Sequence, residues 1–208
     1  MDDEKPESPA MPWPRPGDVV FRPDDDWWMN ACLDFRRADW NLYATAYKDG
    51  ADALVERTIT ARHQLDILVY PIAFLYRHYL ELRLKQLISA GTELVQGKLP
   101  EKWPSGHNID WLWGFCRKLL EEIFPEGEQA DLDATEDCIR QFSAVDAGSM
   151  AFRYPEDKEG KPYLDKLTKV NVRNLAEVIE RIARLLDSSS DVTSVYQDQQ
   201  RDMESDYY

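Results

Sequence analysis

Between Tyr70 and Ile88 the chain reads YPIAFLYRHYLELRLKQLI, with apolar positions recurring every three or four residues. That spacing predicts an amphipathic helix and restricts what can surround it. Pro71 is expected to open the helix, where a missing N–H costs nothing. The helix is expected to end near Ala90, with Gly91 as its C-cap. At about 100° per residue, Ala73, Leu80, Leu84 and Leu87 form one apolar strip, and Leu75 with Leu82 form another. Arg77, His78, Glu81 and Lys85 fall within roughly one quadrant between the strips. Arg83 and Gln86 point well away from it and read as the water-facing side.

That quadrant has three readings. Arg77, Glu81 and Lys85 form an i, i+4, i+8 ladder, and most such ladders are solvated surface pairs of little energetic worth. A quadrant flanked by apolar strips can also be a buried structural network, or a sequestered functional cluster. His78 favours the last, because an imidazole titrates near neutral pH and suits proton transfer.

The 3.6-residue period recurs along the chain. Trp40, Tyr43, Ala44, Tyr47, Ala51 and Leu54 carry it, and Ala61, Leu65 and Leu68 continue it as one long helix or two. Asn108 is a good N-cap for a helix through Leu112, Trp113, Cys116 and Leu120, with Asp110 in the first turn and Pro125 as the stop. A further helix is expected over about Leu132–Val145. The last starts near Asn171 and keeps its period to Leu186, with Val192, Val195 and Tyr196 able to extend it. Gly97–Gly106 and Gly148–Pro162 read as loops. No set of strands is evident, so the fold class is all-α: a bundle of about five helices, with an irregular loop before the last one and disordered termini. Residues 1–38 read as an extended arm with five Pro in the first 17 positions, 39–187 as the bundle, and 188–208 as an acidic tail, partly helical. Asp24–Asp26 is expected to cap a helix rather than bind metal.

Composition narrows the partners. The 208 residues carry 25 Lys and Arg against 39 Asp and Glu, a net charge of −14. That argues against sequence-blind nucleic-acid binding, which needs a basic surface, and favours a basic protein partner. Three Cys without CxxC spacing and no N-terminal signal pattern point to the cytoplasm. Cys116 and Cys138 are expected in the core. The longest low-charge run, Ile67–Tyr76, is too short to cross a bilayer, so no membrane partner is expected. Phosphate-loop, dinucleotide, nucleophile-elbow and zinc spacings are all missing, so no cofactor and no metal is expected. The three His are His63, His78 and His107. His107 precedes a helix and is either a structural loop residue or a partner for His78. Arg153, in FRYP between Phe152 and Tyr154, is either a packed anchor or a phosphate ligand.

The blocks FLYRHYLELRLKQLI, GHNIDWLW and FRYPEDKEG, in that order over about Ile67–Leu186, resemble a divergent branch of the HEPN superfamily. These are small helical-bundle proteins of prokaryotic defence and toxin–antitoxin systems. The resemblance implies a bundle that forms a homodimer and, in active members, metal-independent RNA cleavage at the dimer cleft. Active members carry an Arg followed after four to six residues by a His, near the start of a late helix. No His follows Arg153 here. The literal match, Arg57 to His63, lies in an early helix with Thr58 where an amide or acid is usual, and is not taken as the motif.

Two functions remain open, besides that of an acidic antitoxin-like protein whose tails wrap a toxin. One is a non-catalytic or regulatory protein-interaction module, with the polar quadrant fixing helix register. The other is a metal-independent endoribonuclease or nucleotide-binding effector. In it His78 and His107 would transfer protons, Glu81 would orient His78 or Arg77, and Arg77, Lys85 and Arg153 would hold phosphate. For the dimer, Trp27, Trp28, Trp111 and Trp113 are candidate interface residues, although Trp113 lies in the apolar stripe of its own helix.

Overall fold

The computed structural model describes residues 13–33, 39–61, 64–95 and 106–205. The sequence-based expectations for the first twelve residues, for His63 and for most of the Gly97–Gly106 loop lie outside them. The chain divides into two units, Met1–Arg37 and Ala38–Tyr208.

The described part of the first unit contains a single 3-10 turn, Trp27–Met29, whose two indoles meet edge to face with centroids 6.1 Å apart. Asp26 precedes that turn, but its carboxylate does not cap it. Asp24 and Asn30 staple the turn instead: the Asp24 N–H donates to Asn30 Oδ1 at 3.0 Å, and Asn30 Nδ2 donates to the Asp24 carbonyl at 2.6 Å.

The second unit is a bundle of five helices: α1 (Trp40–Ala61), α2 (Leu65–Leu94), α3 (Ile109–Ile123), α4 (Gln129–Val145) and α5 (Val172–Ser205). No strand occurs among the described residues; one isolated bridge, Glu156 to Pro162, marks the segment before α5. No described helix is long and apolar enough to cross a membrane. Helix α2 is central and packs against α1, α3 and α5, while α4 lies on α3 and touches α5. Residue pairing fixes the directions. Asn41 meets Arg83 and Asp52 meets Tyr76, so α1 runs antiparallel to α2. Gln86 meets Ser190 and Glu93 meets Gln197, so α5 runs parallel to it.

Several local expectations hold. Asn108 caps α3, its side chain accepting from the Trp111 N–H at 3.1 Å. Trp113 is buried and donates from Nε1 to Glu136 at 3.3 Å, whereas Trp111 is 42% exposed. Cys116 is fully buried and Cys138 partly so.

Of one long helix or two before Pro71, the structure has two, α1 and α2, with Gln64 at φ 67° as the N-cap of the second. Other expectations are corrected. Leu65 and Leu68 belong to α2, so Pro71 lies inside that helix rather than at its start. Gly91 is likewise internal. A Cβ there would stand 3.3 Å from Leu119 Cβ and 3.2 Å from Ile123 Cδ1, so glycine allows α2 and α3 to approach closely rather than ending a helix. Helix α5 continues without a break through Ser188–Ser190 to Ser205, with Ser190 and Thr193 buried.

Candidate functional site

The i, i+4, i+8 ladder of α2 is a buried network, not a solvated surface. Arg77 is 0% and Glu81 1% exposed. The Arg77 guanidinium is occupied on every side. Nε donates to the Asp146 carbonyl at 2.9 Å, Nη1 to Glu81 Oε2 at 3.1 Å, and Nη2 to the carbonyls of His107 and Ala147. One α2 side chain thereby fixes the chain entering α3 and the chain leaving α4. Asp146 braces the second of these, its Oδ1 accepting the N–H groups of Met150 at 2.7 Å and Ala151 at 3.0 Å.

Glu81 gathers three basic side chains. Besides Arg77, Lys85 Nζ lies 2.7 Å and His107 Nδ1 2.8 Å from its Oε1. Burial pushes the Glu81 carboxyl up, but the hydrogen bonds and charges of Lys85 and His107 outweigh it, and the pKa ends below its ordinary value. Burial pulls the Arg77 guanidinium down, against the carboxylates of Asp146 and Glu81. Lys85 is nearly buried, while the His107 side chain is 62% exposed.

His78 stands on the neighbouring flank, and Glu81 orients His107 rather than it. The His78 ring stacks on Phe74 (centroids 5.8 Å apart, planes 11° apart) and meets Tyr47 edge-on at 4.3 Å. Burial among these rings lowers its pKa, with Glu81 opposing and Lys85 and Arg77 adding to the fall, which favours the neutral imidazole. Arg153 also stacks on Phe74, its guanidinium carbon 5.5 Å from the Phe74 centroid and 5.4 Å from that of Tyr154. Its Nε donates to the Ser149 carbonyl at 2.6 Å. A cavity of about 440 Å³ beside Arg153 is lined by Tyr70, Phe152, Tyr154, Pro162, Leu164 and others, but not by His78, His107 or Lys85. The structure therefore joins Arg77, Glu81, Lys85 and His107 in one network. His78 and Arg153 each lie beside the Phe74 ring, and the cavity at Arg153 is not lined by the other five.

Two further networks escaped the sequence. Arg83, read above as water-facing, is 4% exposed. It pairs with Asp187 at 2.8 Å and donates to Asn41 at 2.8 Å and to Gln86; Tyr79 donates to the same Asp187 at 2.9 Å. Tyr76 donates to Asp52 at 2.6 Å, and Lys48 bridges Asp52 and Glu180, at 2.8 Å each. The only signal for either was the density of charge on a helix whose remaining positions are mostly apolar. A helix that apolar is enclosed, so its charges have to find partners inside.

Among the described residues no group of His, Cys, Asp and Glu is placed to hold a metal ion. The chain matches no family model, and neither the curated proteins nor the solved structures compared with it include a significant match.

Proposed function

We propose that the chain is a HEPN-like bundle acting as a non-catalytic protein-interaction module, of the kind used in prokaryotic defence or toxin–antitoxin systems, and that it works as a homodimer. The observation that carries this reading is the engagement of Arg77. A guanidinium with no exposed surface, four of its five N–H groups bonded to three backbone carbonyls and a carboxylate, is closed to a phosphate arriving from solvent. The quadrant of charges then serves to fix the α3 and α4 loops against α2. The surplus of acidic residues offers a surface to a basic partner.

One observation favours the alternative, a metal-independent ribonuclease. Glu81 holds Nδ1 of a largely exposed His107, and a carboxylate that orients an imidazole is a common support for proton transfer. In that reading His107 moves from partner to principal acid–base group, with His78 second and Arg153 on phosphate. The experiment is an RNA-cleavage assay of the purified chain, alone and with any partner it co-purifies with, on the parent, His107→Ala and His78→Ala. No cleavage by the parent supports the interaction module. Cleavage that both variants lose at unchanged thermal midpoint refutes it.

A further inference from the structure

The cavity beside Arg153 is shaped by a turn that the buried network holds in place. Asp146 Oδ1 takes the N–H groups of Met150 and Ala151, and the Met150 carbonyl then accepts those of Arg153 and Tyr154 at 3.0 Å each. Ser149 enters this turn at φ 60°, in the left-handed region that a serine adopts only when its surroundings impose it. Its carbonyl is the acceptor for Arg153 Nε. Arg77 ties the carbonyls of Asp146 and Ala147 to α2. The turn is therefore set before any ligand arrives.

Arg153 is oriented by this turn but not neutralised by it. Although the chain carries a net charge of −14, Arg153 makes no ion pair with a carboxylate among the described residues. Nε serves the Ser149 carbonyl and Nη2 meets Met150 Sδ, so three of its five N–H groups have no partner there. Its contacts with the Phe74 and Tyr154 rings restrict the guanidinium plane. A planar fork held in this way takes an oxyanion with two parallel hydrogen bonds and little further loss of side-chain freedom.

The cavity around it, of about 440 Å³, is of the size that encloses a small molecule. Tyr70, Phe152, Tyr154 and Leu164 give it aromatic and aliphatic walls. Tyr70 and Tyr154 are 48% and 49% exposed, so a flat ring laid against them covers apolar surface now in water. Asp165 lines the same cavity, and Arg153 is its only cation among the described residues. One guanidinium balances the single charge of a carboxylate. The second charge of a phosphate dianion would find Asp165 and no further cation.

The geometry points to a binding site for a small aromatic carboxylate, its oxyanion on the free N–H groups of Arg153 and its ring against Tyr70 and Tyr154. The site involves neither Arg77 nor His107 directly, and it stands or falls apart from both readings of function above.

Equilibrium dialysis of the full chain against phenylacetate tests it. Phenylacetate is expected to bind with a dissociation constant of about 1 mM or below, and acetate and benzyl alcohol, each with half of its chemistry, about tenfold or more weakly. Arg153→Gln should weaken phenylacetate about tenfold or more. Arg153→Lys should weaken it nearly as much, because the charge remains and the fork is lost. Circular dichroism and the thermal midpoint of both variants should match the parent. Phenyl phosphate should bind the parent more weakly than phenylacetate, and Asp165→Asn, an exposed change, should narrow that gap. This last comparison keeps the test intact if the Arg153 variants lose stability. A parent that does not bind phenylacetate, binding indifferent to Arg153→Gln, or a parent that prefers phenyl phosphate overturns the inference.

Discussion

Replacing Arg77 by Met is the sharpest perturbation available. Methionine keeps most of the length and apolar volume, so little cavity is left and the loss is polar. The change strands the carbonyls of His107, Asp146 and Ala147 and removes one of the three basic partners of the buried Glu81. Breaking a buried pair from one side costs about 3–5 kcal/mol. Glu81 keeps Lys85 and His107, which moderates its share, while unsatisfied carbonyls add about 1 kcal/mol or more each where water does not reach them. A net loss of about 4 kcal/mol is expected, against a total stability of about 5–15 kcal/mol for a domain. For a bundle of this size that lowers the thermal midpoint by about 8–16 °C. Thermal and urea unfolding followed at 222 nm would measure it, with an unchanged urea slope showing that the unfolded state is not the cause. A midpoint within about 2 °C of the parent would refute the argument that Arg77 is structural. If RNA cleavage vanished in the same variant, Arg77 would return to the functional residues.

Other consequences can be checked separately. His78 has a lowered pKa in the folded chain, so its contribution to stability is complete above its ordinary value near 6.5 and is lost as pH falls through the folded value; His78→Phe is expected to flatten that part of a stability–pH curve. Glu81 is also lowered, so its contribution is complete above the ordinary carboxyl range and disappears at more acid pH, a second fall that Glu81→Gln should remove along with much of the stability. Gly91→Val should cost about 1–3 kcal/mol in urea unfolding, because Leu119 Cβ is too near its own backbone to move aside. The Cys116 thiol, buried and pushed up to about 12, should resist a disulfide reagent until the chain unfolds, whereas the exposed Cys32 should react at once.

What could be read from the sequence follows from how local each signal is. Helix α3 was legible to the residue because Asn108, Asp110 and Pro125 act within a turn of the places they mark. α4 was placed nearly as well by its apolar spacing. Gly91 and Pro71 misled because each has two meanings. A glycine ends helices and also permits close helix contact, and a proline tolerated in a first turn is tolerated deeper when its neighbours allow. The site divides in the same way. That Arg77, Glu81 and Lys85 share a flank is a property of the helix alone. That Arg83 is covered depends on Asp187 and Ser190, more than 100 positions away, and no periodicity in α2 can announce them. His107 joins Glu81 across a connection of the same kind, so the sequence could offer it only as a loop histidine with two readings.

Arg77 is completed by carbonyls 30, 69 and 70 positions further along the chain. During synthesis, α1 and α2 therefore exist before the groups that will enclose them. At about 5–20 residues per second, the wait for Ala147 is roughly 4–14 s. Through that interval Arg77, Glu81 and Lys85 on one side, and Arg83 on another, keep a leucine-rich helix hydrated and poorly suited to premature association. A nascent chain stalled after Val145 is expected to aggregate more when Arg77 and Arg83 are both replaced by Leu than when they are kept. The charges that lock the finished bundle from within are, for those seconds, its solubilising coat.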